Sequence, residues 1–290
     1  MSLNKIYYIF RSMRPKQWTK NSFVFAGLIF SKAFFDIGSV LRSVYAFFLF
    51  SFVSGSVYII NDIIDREKDR LHPQKAKRPI ASGKLDPKTG LAGGLAALSV
   101  ALLLALIVDQ ELFFILAAYF ILVLLYSVKL KHLVILDVIL ISLGFVLRTI
   151  GGAVVIDVRI SPWLIACTTF LALFLALNKR KNELIVLSSN ATGHRENLKE
   201  YTPELIDQML SVVTPVTVMS YALYTFNAGK SYYMMLTIPF VLYGIFRYQY
   251  LASSKDMGGS PEIALLKDKP LLINILLWIL SSLIIVMCFY

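Results

Sequence analysis

The chain has 290 residues, of which 57% are apolar or aromatic and 16% charged, against roughly 25% charged in an ordinary soluble domain. Its 29 Lys and Arg exceed 18 Asp and Glu for a formal balance of +11, but repeated long apolar runs change how that excess is read. Runs near the ~20 residues that cross a hydrocarbon core exclude a soluble globular domain, and their lack of alternation excludes a membrane barrel, whose strands span in about 10 residues. The basic balance therefore implies no nucleic-acid partner.

In chain order, Met1 to Lys20 lacks the apolar core of a cleavable signal. Nine transmembrane helices are expected, at 22–39, 42–60, 90–108, 112–128, 133–156, 161–178, 206–226, 232–250 and 271–289. Lys32 and Asp36 interrupt the first. Short turns at Asp109–Glu111, Asp157–Arg159 and Asn227–Lys230 make hairpins, leaving three longer polar segments, 61–89, 179–205 and 251–270. The expected fold is thus an all-α polytopic bundle, a single integral membrane domain over 1–290.

Basic residues orient it. Counting Arg247 at the end of the eighth span, 24 of the 29 Lys and Arg gather in the amino-terminal segment, the three long segments and the 129–132 turn. Lys32, Arg42, Arg159 and Lys230 fall on the other side, and Arg148 lies within a span. The positive-inside rule then places the amino terminus and the long loops in the cytoplasm, with the protein in the plasma membrane. Cys167 and Cys288 lie in apolar runs and read as free thiols. Chemistry is expected at the cytoplasmic mouth.

The most informative stretch is Asn61-Asp62-Ile63-Ile64-Asp65-Arg66-Glu67-Lys68-Asp69-Arg70. On a continuing helix, Asp62, Asp65 and Asp69 fall at i, i+3 and i+7 and form one stripe beside Asn61. Carboxylates so aligned repel, and they are costly at a membrane edge unless cations sit between them. Hard oxygen ligands suit Mg2+ shared with substrate phosphates. The competing reading is a solvated helix end paired with Arg66, Lys68 and Arg70. The following His72-Pro73-Gln74-Lys75-Ala76-Lys77-Arg78-Pro79-Ile80-Ala81-Ser82-Gly83 is cationic. It suits a phosphate-rich ligand at Lys75 and Arg78, whereas Lys84 and Lys88 read as topological anchors.

Asn61–Asp69 followed by Arg78-Pro79-Ile80-Ala81-Ser82-Gly83 resembles the first aspartate-rich motif of the UbiA superfamily of intramembrane prenyltransferases. The resemblance implies a Mg2+-bound diphosphate at the mouth of a helical bundle whose lateral opening admits a polyprenyl chain. Where that superfamily carries a second acidic motif, this chain reads Leu177-Asn178-Lys179-Arg180-Lys181-Asn182-Glu183, one acid among three bases. Cations there suit a ligand with more phosphate than a prenyl diphosphate. Arg14-Pro15-Lys16-Gln17-Trp18-Thr19-Lys20-Asn21, Tyr126-Ser127 with Leu130-Lys131, Asp137 through Arg148, Asn178-Lys179-Arg180 with Glu183-Leu184, and Pro261-Glu262 with Asp268-Lys269-Pro270 are similar to the decaprenyl-phosphate phosphoribosyltransferase branch.

That likeness implies Mg2+-dependent transfer of 5-phosphoribose from phosphoribosyl diphosphate to a polyprenyl phosphate. It implies Asp62, Asp65 and Asp69 as catalytic carboxylates that hold the metal with Asn61. Lys20, Asn21, Lys75, Arg78, Lys129, Arg148, Lys179 and Arg180 would bind substrate.

Two of these have bland alternatives. Arg148 stands 11 residues after Asp137, about three turns on, so the two share a face. It is either half of an interhelical ion pair or a phosphate ligand in a cavity. Lys129 either snorkels or lines the mouth. The three histidines, His72, His132 and His194, form no catalytic set. The sequence leaves a homo-oligomer open. The competing functions are prenyl transfer to an aromatic acceptor and, from another class, a transporter using the acidic stripe as an ion site, though no inverted repeat supports the latter.

Overall fold

The computed structural model of the protein describes residues 3–72, 75–189, 200–227, 232–254, 257–259 and 261–289. Pro73, His194 and Lys230, and parts of all three expected long loops, lie outside these residues. The described chain is helical throughout. A short α1 (Leu3–Ser12) leads into a 3-10 segment, Pro15–Phe25, then α2 (Ala26–Ile29) and a second 3-10 turn, Lys32–Phe35. There follow α3 (Ile37–Ile64), α4 (Arg66–Arg70), α5 (Pro87–Val108), α6 (Gln110–Val128) and α7 (Leu136–Val154). The second half holds α8 (Pro162–Ser189), α9 (Pro203–Asn227), α10 (Ile238–Ser254), α11 (Pro261–Lys267) and α12 (Lys269–Phe289).

Seven of the described helices, α3, α5, α6, α7, α8, α9 and α12, are long and apolar enough to cross a membrane. The expected count of nine is not reached in this form, because two spans are built differently. The first is a 3-10 and α composite rather than one helix, and Asp36, which looked like an interruption, is the N-cap of α3. Its carboxylate accepts from the Ser39 amide at 2.8 Å, and the Ser39 hydroxyl and amide hold that carboxyl below its usual range. The eighth starts as a 3-10 turn, Tyr232–Thr237, and continues as a 17-residue α10. Asp109 caps α6 in the same manner, accepting from Glu111 and Leu112 amides at 2.7 and 3.0 Å.

Burial ranks the helices. In their apolar windows α3 and α7 are 61% buried, while α5, α6 and α12 are 22% buried. The first two therefore form the centre of the bundle and the others face the surroundings. α3 and α7 are the helices that carry Asp62, Asp137 and Arg148. The 3-10 segment Pro15–Phe25 packs between them. Its close approach depends on Gly152, where a Cβ would stand 1.9 Å from the Val24 carbonyl oxygen. One apolar core joins Val24, Phe50, Leu116 and Tyr119; a second joins Phe174, Tyr201, Ile206 and Leu271.

Candidate functional site

Through the acidic end of α3 the helical backbone bonds carry on across one residue outside α geometry: the Asp65 amide donates to the Asn61 carbonyl at 2.9 Å and the Asp69 amide to the Asp65 carbonyl at 2.8 Å. α3 ends at Ile64, and Asp65, with φ −88° and ψ 9°, joins it to α4. Asp62 and Asp69 are brought together, 1% and 3% exposed. The Arg78 guanidinium donates to Asp62 at 3.1 Å and to Asp69 at 2.5 Å. Arg14 donates to the same Asp62 oxygen. Asp65, half-buried, pairs with Lys131 at 3.4 Å. Of the expected ligands Asn61, Asp62, Asp65 and Asp69, Arg78 joins Asp62 and Asp69 directly, and Asp65 is held by Lys131.

Arg14, which sequence reasoning passed over as a site residue, is the principal addition. It adopts φ 54° and ψ 66°, a left-handed conformation costly for a side chain with a Cβ. Its guanidinium bond to Asp62 and its place over the Tyr58 ring, 4.8 Å from the centroid, hold it there. The cue in the sequence was Arg14-Pro15 at the entrance to a broken span.

A cavity of 210 Å3 opens beside this pair. Arg11, Arg14, Lys77 and Arg78 line it, and Asp62 is the one acid in the lining. The second oxygen of Asp62, Oδ2, is buried and has no hydrogen-bond partner among the described residues. A buried carboxylate oxygen without a donor is expensive unless a ligand reaches it. Among the described residues no three acidic, histidine or cysteine side chains stand close enough to hold a metal by themselves. Mg2+ does not need three: it is commonly held by one or two carboxylates together with waters and substrate phosphates. The donor chemistry of Asp62 and Asp69 fits it.

The other expected ligands divide. Lys75 is half-buried in the 3-10 turn Lys75–Lys77, on the loop that also delivers Lys77 and Arg78. Lys20 and Lys179 are half-buried as well. Lys129 is exposed at the C-cap of α6, and it is Lys131 that reaches the acidic end of α3.

Arg180 lies in a buried network. It is 1% exposed and every donor group is engaged: Nε with Asp137 at 2.7 Å, one terminal nitrogen with Glu183, the other with the Tyr126 hydroxyl at 3.2 Å. Asp137, itself fully buried, also accepts from the Tyr201 hydroxyl at 2.7 Å. Tyr201 in turn accepts from the Ile135 amide at 2.7 Å, where the backbone has φ 66°. Burial, followed by the bond to Asp137, pushes the Tyr201 phenol up, so it stays a donor. Arg180 thus joins α7 and α8. Lys181 pairs with Asp207 of α9 at 2.6 Å.

The ion-pair alternative for Arg148 is corrected, since Asp137 belongs to Arg180. Arg148 is 6% exposed and lies about 16 Å deeper along α7. It donates to the Asn21 side-chain oxygen at 2.7 Å, the Gly144 carbonyl at 2.8 Å and the Tyr119 hydroxyl at 2.5 Å. Asn21 donates in turn to Ser51 at 2.9 Å. Arg148 and Asn21, both expected at substrate, form one buried layer that fastens the 3-10 segment to α3, α6 and α7.

Comparison with known proteins agrees with this architecture. The profile of the UbiA prenyltransferase family matches residues 21–265. A decaprenyl-phosphate phosphoribosyltransferase of Corynebacterium glutamicum is 33% identical over 279 residues, covering 93% of this chain and 83% of that protein. One from Mycolicibacterium smegmatis is 32% identical over 294 residues, covering 95% and 91%. The solved structure of a UbiA homolog from Archaeoglobus fulgidus bound to GPP and Mg2+ superposes with a TM-score of 0.73 over 97% of this chain and 99% of that one. At 18% identity that likeness speaks to the fold.

Proposed function

The chain belongs to the UbiA prenyltransferase family, and we propose that within it the protein transfers 5-phosphoribose from phosphoribosyl diphosphate to a polyprenyl phosphate, releasing diphosphate. The observation that carries this reading is the cavity where four cations surround one buried carboxylate with an unpartnered oxygen. Such a lining favours a ligand that brings several phosphates of its own. The relatives that match most of the chain carry the same activity in their names. We take the whole chain as one membrane domain with the acidic end of α3 in the cytoplasm, where the sugar donor is found.

Asp62 and Asp69 are the residues that would hold Mg2+, which supplies charge neutralisation on the departing diphosphate. Arg14 and Arg78 fix the Asp62 carboxylate through Oδ1 and leave Oδ2 without a hydrogen-bond partner among the described residues. Arg11, Lys77 and Arg78 in the lining, with Lys75 from the same 3-10 turn as Lys77, would place and neutralise donor phosphates, and Lys20 and Lys179 are further candidates for that role. The acceptor needs no general base, because a phosphate monoester with a second pKa of about 6 is already ionised at neutral pH. Its phosphate attacks the anomeric carbon as the C1–diphosphate bond breaks, and the electron pair leaves with diphosphate. Positioning and charge are then what the residues contribute.

Purified protein given labelled phosphoribosyl diphosphate and polyprenyl phosphate is expected to form labelled lipid with Mg2+ and none in chelator. Product instead from prenyl diphosphate and an aromatic acid would transfer the assignment to prenyl transfer. Absence of product in both mixtures would favour a non-enzymatic role.

A further inference from the structure

Two of the few basic residues at the far end of the bundle converge on a second cavity. α7 starts beside the Asp137–Arg180 network and runs 19 residues, about 28 Å. Its last residues and the connection to α8 therefore lie across the membrane from Asp62. There, Lys32 and Arg159 line a cavity of 350 Å3 together with Ser31, Ser161, Phe30, Leu164 and Tyr224. The lining contains no acid. Lys32 comes from the 3-10 turn after α2, Arg159 from the chain just before Pro162, and Tyr224 from α9, so three distant parts of the sequence build it.

The polar and apolar parts of this cavity have complementary uses. Neither Lys32 nor Arg159 is ion-paired among the described residues. Both are exposed at its edge. The Ser161 hydroxyl oxygen accepts from the Trp163 amide at 3.3 Å, which leaves its O–H to donate. Phe30, Leu164 and Tyr224 form an apolar wall, 7%, 8% and 1% exposed. The volume lies within the ~300–1,000 Å3 common for small-molecule sites. Positive residues are disfavoured on this side of a membrane protein, so two of them facing one acid-free cavity call for an anionic ligand. Basic pockets between membrane helices are suited to phosphate-bearing lipid headgroups.

We propose that this cavity binds one anionic phospholipid from the leaflet opposite the acidic site. Lys32 and Arg159 meet its phosphate oxygens, and the Ser161 hydroxyl adds a hydrogen bond. The aromatic and leucine wall covers the glycerol and the first methylenes. A pair of side chains that merely snorkel to the interface would show no saturation and no dependence on the cavity's volume.

The test is titration of the whole protein, in neutral detergent, with short-chain phosphatidylglycerol and phosphatidylcholine, read by native mass spectrometry. One phosphatidylglycerol is expected to bind saturably and phosphatidylcholine not at all. Lys32→Gln with Arg159→Gln is expected to weaken binding roughly thirtyfold, from two phosphate contacts worth about fivefold each. Either exposed residue substituted alone is expected to give about fivefold. Ser31→Trp, which keeps both charges and fills the space, is expected to abolish binding, while Arg42→Gln, on the same side but outside the lining, leaves it intact. Inorganic phosphate at equal concentration is expected not to displace the lipid. Equal binding of phosphatidylcholine, retention in the single and double glutamine variants, or displacement by free phosphate would each overturn the proposal.

Discussion

Replacing Arg180 by Met asks whether that residue serves the fold or the ligand. The guanidinium is 1% exposed and its partner Asp137 is 0% exposed. Removing it strips the ion pair from a buried carboxylate that still accepts from the Tyr201 hydroxyl. Breaking a buried ion pair from one side costs about 3–5 kcal/mol, while loss of the more exposed Glu183 contact adds at most about 1 kcal/mol. The expected result is a fall in melting temperature on the order of 10 °C in detergent, using ~2–4 °C per kcal/mol for a chain of this size. Adding Asp137→Asn removes the stranded charge, so the double variant is expected to melt above Arg180→Met. A single variant that melts like the wild type while its KM for phosphoribosyl diphosphate rises would refute the structural role and return Arg180 to the ligand.

Asp62→Asn is expected to lower kcat by on the order of 10²–10³-fold, the usual loss for a preorganised electrostatic group. Asp65→Asn, which removes only the 3.4 Å pair with Lys131, is expected to cost less; equal losses would argue that Asp65 also touches the reacting groups. Gly152→Ala puts a Cβ 1.9 Å from the Val24 carbonyl and forces the 3-10 segment outward. It is expected to destabilise the bundle by at least the ~1–3 kcal/mol of ordinary overpacking, measured by thermal unfolding, whereas wild-type stability would mean that the segment docks more loosely.

The long apolar runs were readable because hydropathy is a property of each run alone. Seven of them emerge as helices over the expected spans, α12 at Lys269–Phe289 against an expected 271–289, but α8 runs on to Ser189, so 179–189, expected as loop, is helix. The first run was harder. Whether 22–39 forms one helix depends on packing against Gly152, which lies far away in sequence. Asp36 was visible as a polar residue, but its role as a cap needs the Ser39 amide in place. The approach of Asp62 and Asp69 is legible from spacing, whereas their shared contact with Arg78 and the Lys131 pair of Asp65 join segments that no periodicity links. Arg180 shows a related limit: its neighbours in sequence suggest ligand chemistry, while its buried partner, Asp137, is 43 residues away. Arg148 was correctly singled out as buried and costly. Its partners, Asn21 and Tyr119, are neutral and come from two other segments that no periodicity links.

Calorimetric titration of phosphoribosyl diphosphate into the purified protein, with Mg2+ and then with chelator, bears most directly on the chemistry of the acidic end of α3. Saturable binding is expected with Mg2+, lost in chelator and lost again in Asp62→Asn at full Mg2+, with that variant still folded. Affinity that ignores both Mg2+ and the Asp62 carboxylate would contradict the assignment of this pair to a metal-bridged sugar diphosphate.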